Sequence, residues 1–85
     1  MADVTLTLTV RTRDSLLYEG TVRSLTAHND YGRFDILPGH SNYISLVDGL
    51  ISFVTDAGLD RNLRVQNALL TASANKISIF IGFRH

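Results

Sequence analysis

Four side chains that are able to ligate a metal or transfer a proton fall within thirteen positions of this 85-residue chain. They are His28, Asp30, Asp35 and His40. Imidazole and carboxylate groups ligate zinc, and both act as general acids and bases. A metal site needs three or four converging ligands, and no local pattern such as His-Glu-x-x-His is present. A polar loop is therefore favoured over a metal site or an acid/base pair, and we expect no metal.

Other kinds of catalytic or ligand site have less support. Ser41 follows His40 directly, but adjacent strand residues point to opposite faces, and no Gly-x-Ser-x-Gly elbow is present. The six glycines are scattered and form no phosphate-binding cluster. Without cysteine there is no thiolate nucleophile. An enzyme built on His28, His40 and Asp35 would need these groups within hydrogen-bond reach. We expect neither catalytic residues nor a cofactor.

The composition is typical of one small globular domain. Hydrophobic residues make up 45% and charged residues 19%, far from the composition of a disordered chain. Since 85 residues have room for one core, residues 1–85 are predicted to form a single domain. Eight basic and eight acidic side chains cancel, which argues against nucleic-acid binding. No apolar run approaches the roughly 20 residues of a membrane span and no secretory signal is visible, so membrane insertion is not expected.

The two ends of the chain show the alternation of half-buried strands. The apolar side of residues 4–11 consists of Val4, Leu6, Leu8 and Val10. The apolar side of residues 76–83 consists of Ile77, Ile79 and Ile81. A helix would scatter these side chains around its circumference, whereas a strand places them on one core-facing side. Phe80 lies on the second face of the last segment, which indicates that this face is partly covered as well.

Turn-forming residues divide the rest of the chain at intervals of about ten residues. The short runs between them are residues 16–27, 43–47, 50–55, 61–66 and 69–72. Asp48-Gly49 predicts a two-residue hairpin, Pro38-Gly39 and Ala57-Gly58 predict turns, and Gly20 predicts a bulge or bend. The best helical candidate, residues 59–70, is interrupted and has no capping box. We therefore predict an all-β fold of eight to ten short strands, in two antiparallel sheets packed face to face.

One block of residues resembles a known family. Residues 17–22 (LYEGTV), 26–27 (TA) and 32–40 (GRFDILPGH) are similar in order and spacing to the amino-terminal β-sandwich of the ATP synthase epsilon subunit, whose mitochondrial counterpart is called delta. Residues 48–51 resemble that family's Pro-Gly-x-Ile hairpin, and residues 68–81 resemble its closing strands. The Pro-Gly-His motif is informative only together with these other matching residues. The resemblance covers the chain from the first strand to the last.

The resemblance implies a structural role instead of an enzymatic one. The family's sandwich is a flattened pair of antiparallel sheets that docks on the gamma subunit of the central stalk and rests on the polar loops of the c-ring. At matching positions, the c-ring side would consist of Asp30, Tyr31, Arg33 and His40. Candidates for the gamma side are Phe53, Phe80 and Phe83, although most phenylalanines belong to a core. The implied location is peripheral, on the cytoplasmic face of the energy-coupling membrane of a bacterium, mitochondrion or plastid.

Two departures from the family pattern and one alternative function remain. The family usually continues into an inhibitory helical hairpin that binds ATP in some members, and because this sequence stops at His85, that regulation is not carried over. Asn67-Ala68 stands where the family tends to have a glycine pair, which puts the local backbone in question. The alternative is a free-standing sandwich that binds a small ligand or sugar, with Tyr31 and Tyr43 as stacking surfaces in a concave pocket.

Overall fold

The computed structural model describes residues 5–39 and 42–82, and within these ranges all regular structure is β-strand. The strands are β1 (Leu6–Arg11), β2 (Leu16–Asn29), β3 (Gly32–Ile36), β4 (Tyr43–Thr55), β5 (Asp60–Ser73) and β6 (Lys76–Phe80). The predicted all-β class is confirmed. The predicted number of strands is wrong, because three of the six strands are 13 or 14 residues long.

The alternation predicted for the two ends of the chain is confirmed within the described residues. In β1, Leu6, Leu8 and Val10 are buried. In β6, Ile77 and Ile79 are buried, whereas Ile81 follows the strand and is only partly buried. Because alternate side chains of a strand point to opposite faces, one face of each terminal strand contributes to the core.

The six strands form one sheet that closes on itself. The order is β1-β6-β5-β4-β2-β3, and β1 also pairs with the first part of β2. Strand β1 thus has a neighbour on each side, while β3 pairs with the end of β2. The pairing of β1 with β6 is parallel and all other pairings are antiparallel, so the prediction of purely antiparallel sheets is wrong at this one pair.

The predicted hairpin at Asp48-Gly49 is wrong. Strand β4 runs through this dipeptide without turning, and its register against β5 shifts between Val47↔Ala68 and Gly49↔Val65. One residue of β4 therefore opposes two residues of β5, which is a β-bulge. Gly49 adopts a φ of 95°, which glycine reaches without strain. Because a bulge and a hairpin both use a positive φ, the Asp-Gly dipeptide is suitable for either.

Gly20, predicted to form a bulge or bend, is not the site of the bulge in β2. Gly20 pairs regularly with Leu8. The register against β4 shifts instead between Val22 and Ser24, so Arg23 is the extra residue. The Arg23 guanidinium donates a hydrogen bond from Nη2 to the carbonyl oxygen of Asp56 at 2.9 Å. The inserted residue keeps the apolar side chains on both halves of β2 directed toward the same core.

These bulges divide the long strands between two layers. Layer 1 consists of β3, β2 residues 22–29, β4 residues 49–55 and β5 residues 60–65. Layer 2 consists of β1, β6, β2 residues 16–22, β4 residues 43–47 and β5 residues 68–73. The predicted eight to ten short strands correspond to these shorter segments, because β2, β4 and β5 each contribute one segment to either layer.

A single hydrophobic core lies between the layers. Its largest fully buried side chains include Leu8 and Ile79 from layer 2, and Leu25 and Ile51 from layer 1. Among the described residues, the core contains no buried polar or charged side chain. The fold is therefore held by apolar packing and by the backbone hydrogen bonds of the sheet, as expected for a chain without cysteine.

Candidate functional site

The outer face of layer 2 carries a group of exposed apolar side chains. Leu46 of β4 pairs with Leu69 of β5, and Leu69 pairs with Phe80 of β6. Residues directly opposite each other in a sheet point to the same side, so these three side chains form a row across three strands. Ile44 is two residues from Leu46 and shares its face. Ile44 is 69% exposed, Leu46 53% and Phe80 38%. We call Ile44, Leu46, Leu69 and Phe80 the apolar patch.

The outer face of layer 1 is polar. The hydroxyl of Thr26 donates a hydrogen bond to Asp35 Oδ1 at 2.7 Å, and Arg33 Nε lies 3.7 Å from the same oxygen. On the neighbouring strands, the hydroxyl of Ser52 donates to Asn62 Oδ1 at 2.8 Å. These side chains satisfy one another at the surface, as is typical of a sheet face that is in contact with water.

The two outer faces therefore differ in chemistry within one small domain. Isolated exposed leucines are ordinary on a protein surface, whereas a contiguous exposed group on neighbouring strands is a candidate interaction site. Leu50 is the main exposed apolar side chain on the β4 segment of layer 1, and it pairs with Arg64 instead of with another apolar residue. Layer 2 is the face that is suited to being covered by another protein.

The turn between β2 and β3 forms a second exposed feature, which we call the hairpin tip (residues 29–32). Tyr31 is 98% exposed at its apex. The side-chain oxygen of Asn29 accepts a hydrogen bond from the backbone N–H of Tyr31 at 2.8 Å. The Asn29 amide nitrogen lies 3.2 Å from Tyr43 Oη and 3.1 Å from Ser45 Oγ and donates to both. The tip is thus exposed, and the Asn29 side chain attaches it to β4.

Three of the four residues predicted for the c-ring side lie on this β2–β3 hairpin. Asp30 and Tyr31 form its turn, and Arg33 points outward from β3, where it pairs with Asp35. His40 lies outside the described residues. No group of three or more metal-ligating side chains occurs in ranges 5–39 and 42–82. The ring Nδ1 of His28 lies 3.2 Å from the Leu50 carbonyl oxygen, and Asp35 is engaged with Thr26 and Arg33.

The three phenylalanines predicted for the gamma side have different environments. Phe53 is only 5% exposed, and its ring centroid lies 4.7 Å from that of Tyr18. It belongs to the core and contributes nothing to a free surface. Phe80 lies in the apolar patch. Phe83 lies outside the described residues.

The tyrosines of the alternative ligand-binding function do not share a pocket at either of two clefts in the described residues. One cleft is lined by Arg64, Val65, Gln66, Asn67, Ile81 and Gly82. The other is lined mainly by residues around the turn between β5 and β6. Tyr31 projects from the hairpin tip, while the ring of Tyr43 packs against Phe34 with centroids 5.1 Å apart.

Sequence reasoning missed three residues of the apolar patch: Ile44, Leu46 and Leu69. The signal was present in residues 43–47, where Tyr43 and Val47 alternate with Ile44 and Leu46, so both faces of the strand carry apolar side chains. Apolar residues on both faces are typical of a strand that is covered on both sides. Their assembly into one patch with Phe80 depends on the register of three strands, which the sequence pattern does not specify.

Comparisons with known proteins agree with this architecture. A family model described as the ATP synthase Delta/Epsilon chain, beta-sandwich domain, matches residues 5–82. This chain belongs to that family. An ATP synthase epsilon chain from Clostridium botulinum strain Alaska E43 is 32% identical over 81 residues, and one from strain Eklund 17B is 30% identical over the same length. Each alignment covers 94% of this chain and 60% of the relative, so the chain spans about three fifths of these epsilon chains.

Solved structures with the same fold come from mitochondrial ATP synthases. A chain in the Euglena gracilis OSCP/F1/c-ring structure superposes with a TM-score of 0.85 at 16% identity, covering 93% of this chain and 51% of that one. A chain in the Tetrahymena thermophila central stalk/c-ring structure gives a TM-score of 0.71 at 12% identity, covering 89% and 62%. At these identities the likeness concerns the fold. Within the described part of this delta/epsilon-type sandwich, no helix has the length and hydropathy to cross a membrane.

Proposed function

We propose that this domain is a non-catalytic part of the rotor of a rotary proton-translocating ATP synthase. It docks on the gamma subunit through the apolar patch of layer 2 and presents the hairpin tip to the polar loops of the c-ring. It needs no cofactor, and it works by coupling rotation of the ring to the catalytic head. Its location is peripheral, at the cytoplasmic face of the energy-coupling membrane or the equivalent organellar face.

The observation that carries the proposal is the difference between the two outer faces. Docking on the gamma subunit is favoured by a surface whose burial lowers the free energy of the complex. Such side chains are exposed together on layer 2, namely Ile44, Leu46 and Phe80. The hydrogen-bonded polar side chains on layer 1 would gain little from such burial. Membership of the delta/epsilon family and the central-stalk assemblies that contain similar folds support the identity of this partner.

The c-ring contact is assigned to the hairpin because of its exposure and charge. Arg33 offers a planar guanidinium with several donors, and its side chain is 68% exposed. Such a group binds carboxylates and carbonyl oxygens of a polar loop in a bidentate geometry. Tyr31 at the apex adds an exposed aromatic ring with a hydroxyl, which is suited to the same kind of surface.

Two variants of β4 test the gamma contact with matched chemistry. Leu46→Asp places a carboxylate in the apolar patch, and Leu50→Asp places the same group on the outer face of layer 1. Both leucines are exposed, so neither change disturbs the core. In titrations with gamma from the same source, we expect Leu46→Asp to lower the affinity at least tenfold and Leu50→Asp to change it less than threefold. No association of the wild-type chain at high micromolar concentration would contradict the proposal.

A second pair of variants tests the c-ring contact. Arg33→Ala removes the guanidinium of the hairpin, and Arg64→Ala removes one positive charge from β5 on the same outer face. Binding to purified c-ring in the presence of gamma is expected to weaken with Arg33→Ala only. Equal weakening by both variants would indicate a general charge effect and would argue against a contact at the hairpin.

A further inference from the structure

One side chain connects the hairpin tip to the strand that carries the apolar patch. The Asn29 side chain uses its oxygen for the backbone N–H of Tyr31 and its nitrogen for Tyr43 Oη and Ser45 Oγ. The two hydroxyl groups are fourteen and sixteen residues away along the chain, at the beginning of β4. The oxygen therefore shapes the turn locally, while the nitrogen attaches the turn to layer 2.

The residues that receive these hydrogen bonds are themselves fixed in place. Tyr43 packs its ring against Phe34 of β3 at a tilt of 50°. The Ser45 hydroxyl donates to the Leu46 carbonyl oxygen at 3.0 Å, while it accepts from Asn29. The hydrogen bond between Asn29 and Ser45 is partly buried, so water competes with it less than with an exposed contact.

Alternation along β4 places the two surfaces on one short segment. Tyr43 and Ser45 point toward the tip, whereas Ile44 and Leu46 point outward into the apolar patch. An exposed two-residue turn without such support opens locally at low free-energy cost. The hairpin tip is therefore linked to the apolar patch through the side chain of Asn29 and the adjacent residues of β4.

We propose that Asn29 is a positioning residue that holds the hairpin tip at a fixed place relative to the apolar patch. The proposal rests on the proposed function, because the two surfaces matter together only if each has a partner. With the Asn29 contacts in place, a displacement of the tip moves β4 and hence the docked face. Without them, the tip yields before the rest of the domain moves.

Three variants separate the local turn from the attachment to β4. Tyr43→Phe with Ser45→Ala removes both acceptors of the Asn29 nitrogen, yet it keeps the ring contact with Phe34 and the hydrogen bond to Tyr31. Asn29→Ala removes all three contacts. Ser52→Ala is the matched control, because it deletes a surface hydroxyl bond of the same kind on layer 1.

The first measurement is amide hydrogen exchange of Tyr31 and Gly32 in the full chain. Two net hydrogen bonds of about 1 kcal/mol each, at 1.4 kcal/mol per factor of ten, correspond to at least a tenfold change. We expect at least tenfold faster exchange in the double variant, a further increase in Asn29→Ala, which also loses the bond to Tyr31, and wild-type exchange in Ser52→Ala. Exchange that accelerates only in Asn29→Ala would overturn the proposal, since the turn bond to Tyr31 alone would then explain the order of the tip.

The second measurement is binding to gamma and to the c-ring from the same source. The double variant is expected to bind the c-ring about tenfold more weakly while its affinity for gamma stays within twofold. Faster exchange with unchanged c-ring affinity would overturn the positioning role. A wild-type chain that binds neither partner would refute the proposed function, and the exchange data would still decide whether Asn29 holds the tip.

Discussion

The Asp48 carboxylate accepts a hydrogen bond from the backbone N–H of Asn67 at 3.1 Å, at the place where β4 and β5 shift their register. Asn67 has a φ of 50°, in the left-handed region that glycine enters freely and asparagine tolerates better than most residues. Asn67 therefore meets the left-handed backbone requirement of this bulge, and Asp48 binds the amide that the bulge removes from the ladder.

The effect of an Asn67 substitution on stability is expected to depend on how well the new residue tolerates the left-handed backbone conformation, and not on the size of its side chain. Asn67→Val places a β-branched residue in the left-handed region and should lower the free energy of unfolding by about 1–2 kcal/mol. Asn67→Gly should change it by less than about 1 kcal/mol, because relief of strain offsets the greater entropy of the unfolded chain. Urea titrations with an unchanged m-value check this order. Equal stability of the valine and glycine variants would contradict it.

The turn between β5 and β6 contains a strained residue whose replacement is expected to stabilise the protein. Ala74 and Asn75 have φ values of 50° and 63°, as in a type I′ turn, which favours Asn-Gly over Ala-Asn. Ala74→Gly should raise the free energy of unfolding by about 0.5–1 kcal/mol and the melting temperature by a few degrees. The control is Ala57→Gly in the turn between β4 and β5, where φ is not positive and glycine should destabilise.

Asn75 connects the Pro38-Gly39 turn to two other segments. Its side-chain oxygen accepts from Gly39 N–H at 2.9 Å, and its backbone oxygen accepts from Thr7 N–H at 2.9 Å. Asn75→Gly keeps the turn geometry but removes the side-chain acceptor, so it should accelerate amide exchange at Gly39. Because glycine relieves strain at this second position of the type I′ turn, the free energy of unfolding should change by less than about 1 kcal/mol. Asn75→Asp retains the acceptor and should preserve slow exchange. Fast exchange in both variants would show that the Asn75 side chain does not hold this turn.

Phe53 is expected to affect the stability of the fold and not the affinity for gamma. Its ring is buried against Tyr18, so Phe53→Ala should lower the free energy of unfolding by about 3–5 kcal/mol, while Phe53→Leu should cost less than about 1.5 kcal/mol. Thermal unfolding measures the difference. Because Phe53→Leu leaves the surface unchanged, its affinity for gamma should equal that of the wild type. A folded Phe53→Leu variant that fails to bind gamma would assign Phe53 to the interface after all.

Part of the candidate site was predictable from the sequence and part was not. The difference is whether a feature depends on one strand or on contacts between strands. Exposure of Asp35 followed from its alternation with Phe34 and Ile36, which is a property of one strand, and the structure agrees. The apolar patch depends on Leu46 lying opposite Leu69 and Leu69 lying opposite Phe80, which are contacts between strands. The Asn29 contacts with Tyr43 and Ser45 likewise join segments that no local pattern relates.

The sequence by itself determined the β class, the buried faces of the first and last strands and the family, because alternation and motif spacing are local properties of the chain. Only the tertiary structure decided whether Asp48-Gly49 turns the chain back or continues it. Both outcomes use the same positive φ at Gly49, and the choice depends on Gln66 and Asn67 of the partner strand supplying the additional residue. The same non-local pairing decided which of the two outer faces became apolar.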